Sequence, residues 1–255
     1  MAVGTDWFLS GAHVTPCYAR LEAEQPSGIR RPKTLGRAEL VSGDGNHNHL
    51  AHIAAALPGL HTRAMGRLTA GQDRSRSPVH IYLALLDEAR RLNVSSSGPE
   101  ACDFRRTFNG YYGVRRNEAW RALFYREFEA AKQLATAPAT IFAQVLAEIE
   151  KRTGRVEASF TSKLVATLHP QSAVLDSVVG GFLTRRLGSA PAGKGLDAAV
   201  AFYEWLNQVM LALAETSQAA GWFLAFDEQF ASVRGASGIA KMKKLDFLIW
   251  GGADR

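Results

Sequence analysis

Apolar residues recur at helical spacing over most of the chain from Pro78 onward. In the first such segment Val79, Tyr82 and Leu86 follow one another three and four positions apart, which places them on one face of an α-helix. The same pattern returns in segment after segment, and none shows the strict alternation of a half-buried β-strand. The pattern therefore predicts an all-α fold.

Glycine and proline divide this pattern into separate helices. Gly113 and Gly154 follow the last periodic residue of two segments, and Pro170 stops a third because its ring cannot continue a helical turn. The predicted helices cover residues 78–92, 101–113, 117–134, 140–152, 159–169, 177–187, 196–216, 222–230 and 239–250.

The first third of the sequence is much less regular. Only Leu50–Leu57 shows the pattern of a short helix, which Pro58 ends, and the run Ser-Gly-Asp-Gly-Asn at 42–46 predicts a turn. We therefore predict two parts: an irregular N-terminal extension or small subdomain over residues 1–76, and a helical domain over residues 77–255.

Composition and charge narrow the range of functions. The chain has 255 residues, of which 47% are hydrophobic, as in globular proteins. Its 30 Lys and Arg residues exceed its 24 Asp and Glu residues, and the net charge of +6 suits a nucleic-acid partner. The same excess is also compatible with an ordinary Arg-rich surface, so the distribution of charge matters more than the total.

The N-terminal sequence and the cysteine content favour a cytoplasmic location without a membrane partner. No apolar run approaches the roughly 18 residues that a membrane span needs. Asp6 comes early, and no basic segment leads into an apolar stretch, so a signal peptide is not expected. Cys17 and Cys102 are too few for a disulfide framework.

Histidines are concentrated near the N-terminus, where His47, His49 and His52 superficially resemble a metal site. No cysteine or carboxylate stands at a ligand spacing beside them, so we predict no metal centre. Neither a phosphate-binding loop nor a dinucleotide-binding glycine motif is present. We therefore expect no cofactor.

One lysine stands out in the segment 159–169. On a helical wheel Leu164 and Leu168 lie to one side of Phe160, and Lys163 lies at the other edge of this apolar stripe. A lysine in that position is partly desolvated, which lowers its pKa. A short link over 170–175 then leads to Asp176, which we predict to be the N-cap of the next helix and to approach the Lys163 amine.

These residues and their neighbours resemble a bacterial family of 8-oxoguanine DNA glycosylase OGG-fold proteins, which belongs to the helix-hairpin-helix glycosylases. The resemblance covers about residues 100–250. It rests on Ser162-Lys163, on Val174–Val179, on Arg106–Asn117 with Trp120, and on Lys243–Trp250.

The resemblance implies a helix-hairpin-helix glycosylase fold and an N-glycosylase activity, with β-lyase activity as an extension. Lys163 would attack the sugar of a flipped, modified purine-like base and form a Schiff base, and Asp176 would assist. DNA or a nucleotide-derived compound would be the substrate. The resemblance also implies bacterial antiphage defence, with other proteins of the same operon as partners.

The resemblance and the charge pattern also indicate residues that would contact the substrate. Aromatic residues for a base pocket are Tyr111, Tyr112 and Trp120, although such residues at helical spacing are also typical of a core. Residues predicted to bind nucleic acid, or else to form a solvated face, are Arg105, Arg115, Arg116, Arg152, Arg155, Ser162, Arg185 and Arg186.

A second function remains open on the sequence alone. A lysine at the edge of a helix is often a surface residue with a buried stem, and an aspartate before a helix is often only a cap. The alternative is therefore a catalytically inactive OGG-fold module that binds nucleic acid or a partner protein of a defence operon.

Overall fold

The helices predicted from Pro78 onward are present in the computed structural model, which describes residues 44–71, 76–187 and 190–254, with side chains from residue 50. The fold over these ranges is all-α, without a β-strand. The helices are α1 (Asp44–Ala56), α2 (His61–Thr69), α3 (Pro78–Arg91), α4 (Pro99–Tyr112), α5 (Glu118–Ala131), α6 (Pro138–Thr153), α7 (Ala158–Leu168), α8 (Ser177–Leu187), α9 (Leu196–Ala214), α10 (Ser217–Gln229) and α11 (Lys241–Gly252).

Local signals in the sequence explain where several helices begin and end. Asn117 accepts a hydrogen bond of 2.9 Å from the backbone N–H of Trp120 and so caps the start of α5. Helices α4 and α6 end at Gly113 and Gly154, whose φ angles of 65° and 68° are those that glycine adopts without strain.

The buried side chains form two hydrophobic clusters. One gathers residues of α1, α2, α8, α9, α10 and α11 with Val79 and Tyr82 of α3, and includes Trp222 and Phe247. The other gathers α3 to α7 and includes Phe104 and Phe124. Helix α9 contributes to both, because its Tyr203 stacks on Phe142 of α6 with ring centroids 3.8 Å apart.

Helix α2 is missing from the sequence-based prediction, and its packing explains why. Its buried residues are Ala64 and Leu68, too few for a clear helical period. Helix α2 is held instead by close contact with α11, where a Cβ added to Gly251 would lie 2.9 Å from the Ala64 Cα atom. Glycine is required at that position of α11 because the two backbones approach so closely.

Helix α1 begins at Asp44, inside the run at 42–46 where the sequence predicts a turn. Glycine and asparagine are weak helix formers but do not forbid a helix, and α1 is held by packing on α8 and α9. Residues 1–43 lie outside the described residues, so the N-terminal extension and the boundary at residue 76 stay predictions.

Helices α9 and α10 differ from the prediction mainly at their shared boundary. Helix α10 begins at Ser217, five residues before the predicted start, because the Thr216 hydroxyl caps it by accepting from the N–H of Ala219. Among the described residues, no single helix has both the length and the apolar composition that crossing a membrane requires. The α9–α10 pair meets these conditions only jointly, with a bend of 79° between its helices.

Candidate active site

Helix α7 is buried on every side along its middle, and this corrects the position expected for Lys163. The seven consecutive residues from Thr161 to Thr167 are all buried. Lys163 is 7% exposed, so it lies in the interior and not at the edge of an apolar stripe. Phe160, predicted to lie on the buried face, is only partly buried. Because every side of this helix is buried, a helical wheel cannot predict how deeply its lysine lies.

The Lys163 amine is held by the end of helix α4. Its Nζ atom donates a hydrogen bond of 3.1 Å to the backbone carbonyl of Tyr112, the last residue of that helix. The last carbonyls of a helix lack partners within the helix, and a positive charge near them is favourable. The Nζ atom also lies 5.2 Å from the ring centre of Phe160. Lys163 therefore stabilises the α4 C-terminus, whatever else it does.

Asp176 is the N-cap of α8, as predicted. Its carboxylate accepts a hydrogen bond of 2.7 Å from the N–H of Val178, and its carbonyl accepts one of 2.8 Å from the N–H of Gly180. Ser162 secures the segment just before it, because its hydroxyl accepts a 2.8 Å hydrogen bond from the N–H of Leu175. The residue next to Lys163 thus ties the chain next to Asp176 to helix α7.

Lys163 and Asp176 are neighbours but not an ion pair. The structure describes both side chains and shows no direct contact between the Lys163 amine and the Asp176 carboxylate. The charge of Asp176 nevertheless acts on the amine and raises its pKa, more strongly than any other nearby charge. The short link over 170–175 therefore brings the two groups into electrostatic reach, as the sequence suggests, without a hydrogen bond.

A second lysine-aspartate pair lies beside them and was not predicted as part of a site. On α11 the Lys243 Nζ atom is 2.6 Å from a carboxylate oxygen of Asp246, and both side chains are buried. The Lys243 amine lies 4.4 Å from the ring centre of Phe247 and 5.0 Å from that of Tyr82. The available signal was the i, i+3 spacing of opposite charges on one helix.

The two lysines are held in opposite electrostatic conditions. Burial is the main influence on Lys163 and lowers its pKa, while the charges of Asp176 and Asp246 raise it and that of Lys243 lowers it further. Burial also disfavours the charged form of Lys243, but the carboxylate of Asp246 outweighs this and holds the Lys243 pKa well above its usual value. The Asp246 carboxylate thus favours the charged form of Lys243, whereas Lys163 releases its proton more readily.

The aromatic residues predicted as a base pocket are divided by the structure. Tyr112 and Tyr111 make an edge-to-face contact with ring centres 4.7 Å apart, and both rings lie within 6 Å of the Lys243 amine. The Tyr112 hydroxyl is buried and has no hydrogen-bond partner among the described residues. Trp120 is buried, stacks on Phe124 and meets edge-on the Phe160 ring that lies beside the Lys163 amine. Tyr111 and Tyr112 therefore border Lys243, while Trp120 is separated from Lys163 by one ring.

Three residues predicted to bind nucleic acid are engaged inside the protein. Arg105 is buried and donates hydrogen bonds of 2.6 and 2.7 Å to the carbonyls of Val94 and Ser96. Arg116 makes a bidentate ion pair with Glu157 at 3.1 and 3.0 Å. Ser162 is buried in α7. Arg105 and Ser162 hold the fold together and have no access to a phosphate.

The remaining predicted arginines are exposed. Arg115 lies in the loop between α4 and α5, Arg155 lies in the loop between α6 and α7, and Arg152 pairs with Glu148 on α6. Arg185 and Arg186 lie nine and ten residues after Asp176. At 1.5 Å per residue they are roughly 14 Å farther along the axis of α8. Arg185 and Arg186 therefore lie apart from the Asp176 end of that helix.

Metal ligation has no counterpart in the described side chains, where no three His, Cys, Asp or Glu residues converge on a point that could hold an ion. The side chains of His47 and His49, which the sequence raised as weak candidates, lie outside this part of the chain. His61, by contrast, is described, and its ring packs against Trp222 with centres 5.2 Å apart.

Comparison with known proteins adds no relative: no protein-family model matches the chain, and neither a curated protein nor a solved structure matches it. Any assignment of function must therefore be argued from the chemistry of the cluster around Lys163.

Proposed function

We propose that this protein is a DNA or nucleotide N-glycosylase in which Lys163 is the nucleophile and Asp176 the assisting carboxylate. One observation carries the proposal: Lys163 is buried, burial lowers its pKa, and its amine feels the charges of the capping Asp176 and the ion-paired Lys243 without an ion pair to a described carboxylate. Buried cations without a bonded carboxylate are costly. A fold that keeps such a lysine, Lys163, beside the ion-paired Lys243 is well suited to using the uncharged amine of Lys163.

A lysine nucleophile must present an uncharged amine, and the surroundings of Lys163 favour that form. Burial removes water from the ammonium, and the neighbouring Lys243 charge opposes a second positive charge. Asp246 keeps Lys243 charged and in place. Lys243 and Asp246 are therefore positioning residues that act through Lys163.

The proposed reaction follows from these groups. The lone pair of Lys163 bonds to C1′ of the sugar as the bond from C1′ to the base breaks, and the base leaves with that electron pair. Asp176 stabilises the positive charge on the sugar and relays a proton from the amine to the departing base. Opening of the sugar ring then gives a protonated Schiff base. Loss of a C2′ proton can break the C3′–O bond, and water finally releases Lys163.

Two features of the site support this use of Asp176. Its cap hydrogen bond occupies one carboxylate oxygen, and the other makes no hydrogen bond within the described part of the chain. Ser162 fixes the preceding residue against α7. The carboxylate is thus held near the amine without neutralising it.

The substrate class follows from the resemblance and the surface charge. A purine-like modified base would be flipped out of its strand before attack. The exposed Arg115 and Arg155 lie in the loops after α4 and before α7, and their charges suit backbone phosphates. Antiphage defence, partners from the same operon and a cytoplasmic location are part of the same proposal.

Borohydride trapping tests the proposal directly. Wild-type protein is incubated with 8-oxoguanine oligonucleotides, single-stranded and duplex, and with an abasic oligonucleotide in the presence of sodium borohydride. We expect a covalent adduct with the wild type and none with Lys163→Gln. Lys132→Gln is the matched control, because Lys132 also donates to a helix-end carbonyl, that of Leu92 at 2.6 Å. An adduct that persists in Lys163→Gln would exclude Lys163 as the nucleophile.

A second candidate is an inactive OGG-fold module that binds nucleic acid or a partner protein. The observation that favours it is the hydrogen bond from Lys163 to Tyr112, because that contact and 7% exposure also describe a structural lysine. Binding of oligonucleotides without base release or trapping, unchanged in Lys163→Gln, would support this second function.

A further inference from the structure

A cavity of about 630 Å³ lies at the opposite end of α8 from Asp176, and the proposed glycosylase reaction does not use it. Its walls come from three parts of the fold: the α1–α2 connection, the last turns of α8, and the residues that follow α11. Leu60 and Phe182 supply apolar surface. The volume is within the range of about 300–1,000 Å³ that is usual for small-molecule sites.

Three guanidinium groups line this cavity against one carboxylate. The positive groups belong to Arg63, Arg185 and Arg186, and the carboxylate to Asp254. Arg63 donates to the carbonyl of Gly252 at 3.2 Å and pairs with Asp254. The Asp254 side chain is 91% exposed, so solvent or a ligand can displace it easily. A carboxylate oxygen of the chain itself is therefore bound to Arg63.

Arg186 gives the cavity a flat cationic surface. Its guanidinium lies 3.9 Å from the ring centre of Phe182, and it donates to the Phe182 carbonyl at 3.3 Å. This stacking fixes the plane of the guanidinium. Arg186 is exposed, so a second planar ring can stack on the group from the solvent side. Arg185 makes no ion pair in the described ranges.

We propose that this cavity binds a nucleoside monophosphate. The phosphate would replace Asp254 on Arg63 and be shared with Arg185, and the base would stack on Arg186. Arginine suits both contacts, because its planar fork matches phosphate oxygens and its face matches an aromatic ring. The inference does not depend on the proposed glycosylase activity, since no residue is shared with the Lys163 cluster.

A mononucleotide fits this arrangement better than a nucleic-acid strand. Proteins that bind strands spread their positive charge along a groove that follows several phosphates. Here three arginines line one concavity of small-molecule size. A single phosphate with one attached ring uses all three.

The test is calorimetric titration of the full chain with AMP, GMP, CMP and UMP, each compared with its nucleoside, at low salt. We expect saturable binding of at least one monophosphate and at least tenfold weaker binding of the matching nucleoside. Arg63→Gln and Arg185→Gln should each weaken monophosphate binding roughly tenfold, the loss expected for one charged hydrogen bond. Arg186→Lys should weaken it by lost stacking.

Two further variants sharpen the result. Asp254→Asn removes the competing carboxylate and should tighten binding, whereas Lys132→Gln should leave it unchanged because Lys132 donates to the Leu92 carbonyl and does not line the cavity. Absence of saturable binding to all four monophosphates would overturn the proposal, as would binding that Arg63→Gln and Arg185→Gln leave intact. Binding of a single-stranded oligonucleotide through these arginines, without monophosphate binding, would also overturn it and assign the surface to a strand.

Discussion

The Lys163 amine donates its hydrogen bond to the carbonyl oxygen of Tyr112, 3.1 Å away, and so joins the middle of α7 to the last residue of α4. The same amine has a lowered pKa because it is buried. The Lys163 Nζ atom therefore has a structural role as a hydrogen-bond donor and a proposed chemical role as a nucleophile. The two roles predict different losses when the side chain is changed.

Replacement of Lys163 should cost stability as well as chemistry. We expect Lys163→Met to lower the free energy of unfolding by about 1–3 kcal/mol, because the Tyr112 carbonyl loses a donor in a buried place. Lys163→Gln keeps an amide donor and should cost less. Denaturant unfolding of both variants measures this difference. Equal stability of wild type and Lys163→Met would show that the hydrogen bond contributes nothing.

Asp176→Asn separates the charge of this residue from its cap. Asparagine caps a helix almost as well as aspartate, so α8 should keep its N-terminus. The charge that raises the Lys163 pKa disappears, so that pKa should fall further below its usual value. An NMR pH titration of lysine labelled at Cε would show the shift. An unchanged Lys163 titration would place Asp176 too far away to assist the amine.

The lowered pKa of Lys163 also makes the free energy of unfolding depend on pH. The direction is opposite to that for a salt-bridged lysine, whose pKa is raised. The Lys163 pKa is lower in the folded than in the unfolded chain, so the unfolded chain binds more protons between the two values. The unfolding free energy contributed by Lys163 must therefore rise with pH across that interval. In Asp176→Asn the interval should extend to lower pH, which unfolding measurements from pH 7 to pH 10 would detect.

The buried pair of Lys243 and Asp246 predicts strong non-additivity. Lys243→Met alone should destabilise the protein by about 3–5 kcal/mol, because it leaves the Asp246 carboxylate buried without its partner. Adding Asp246→Leu should recover most of this loss, since an apolar pair suits the surroundings of Phe247 and Tyr82. A double-mutant cycle by chemical denaturation measures the coupling. Additive losses would mean that the two groups do not depend on each other.

The helical spacing of apolar residues predicted most of the fold. It was least informative where two helices pack through direct contact of their backbones. The helices from α3 to α9 follow from apolar spacing and from caps such as Asn117 and Gly113. Helix α2 does not, because two buried residues and the glycines of α11 hold it. Close approach of two backbones leaves no period in either sequence.

The candidate site was predictable in part for a related reason. Lys163 and Asp176 stand out because the intervening link is short, and the structure brings their charges within reach. The wheel placed Lys163 at an edge, but a helix buried on all sides has no edge. Lys243 and Asp246 were missed as site residues because only the tertiary fold brings their charges within electrostatic reach of Lys163. Their i, i+3 spacing indicates the pair itself but not its place beside Lys163.

Ser162 offers a test of how the link to Asp176 is held. Ser162→Ala should lower the unfolding free energy by about 1–3 kcal/mol, because the N–H of Leu175 loses its acceptor in a half-buried place. It should also weaken trapping by letting Asp176 move away from the amine. Thr69→Ala is a suitable control, since its hydroxyl donates at 3.0 Å to the Met65 carbonyl within its own helix. Loss of stability without loss of trapping would confine Ser162 to a structural role.

Loss of the charge should lower the free energy of unfolding at Arg105 and leave it nearly unchanged at Arg115. Arg105→Gln should lower the free energy of unfolding by about 3 kcal/mol, because the carbonyls of Val94 and Ser96 lose a charged donor in the interior.

Arg115→Gln changes an exposed side chain and should leave stability within about 0.5 kcal/mol. If Arg115 contacts a backbone phosphate, this variant should weaken oligonucleotide binding and reduce the slope of log affinity against log salt by roughly 0.7–0.9, the share of one phosphate contact. Arg105→Gln, measured where it is fully folded, should keep the wild-type slope. Filter binding at four salt concentrations distinguishes the two. A reduced slope in Arg105→Gln would mean that nucleic acid reaches this arginine by opening the loop between α3 and α4. An unchanged slope in Arg115→Gln would exclude Arg115 from the binding surface.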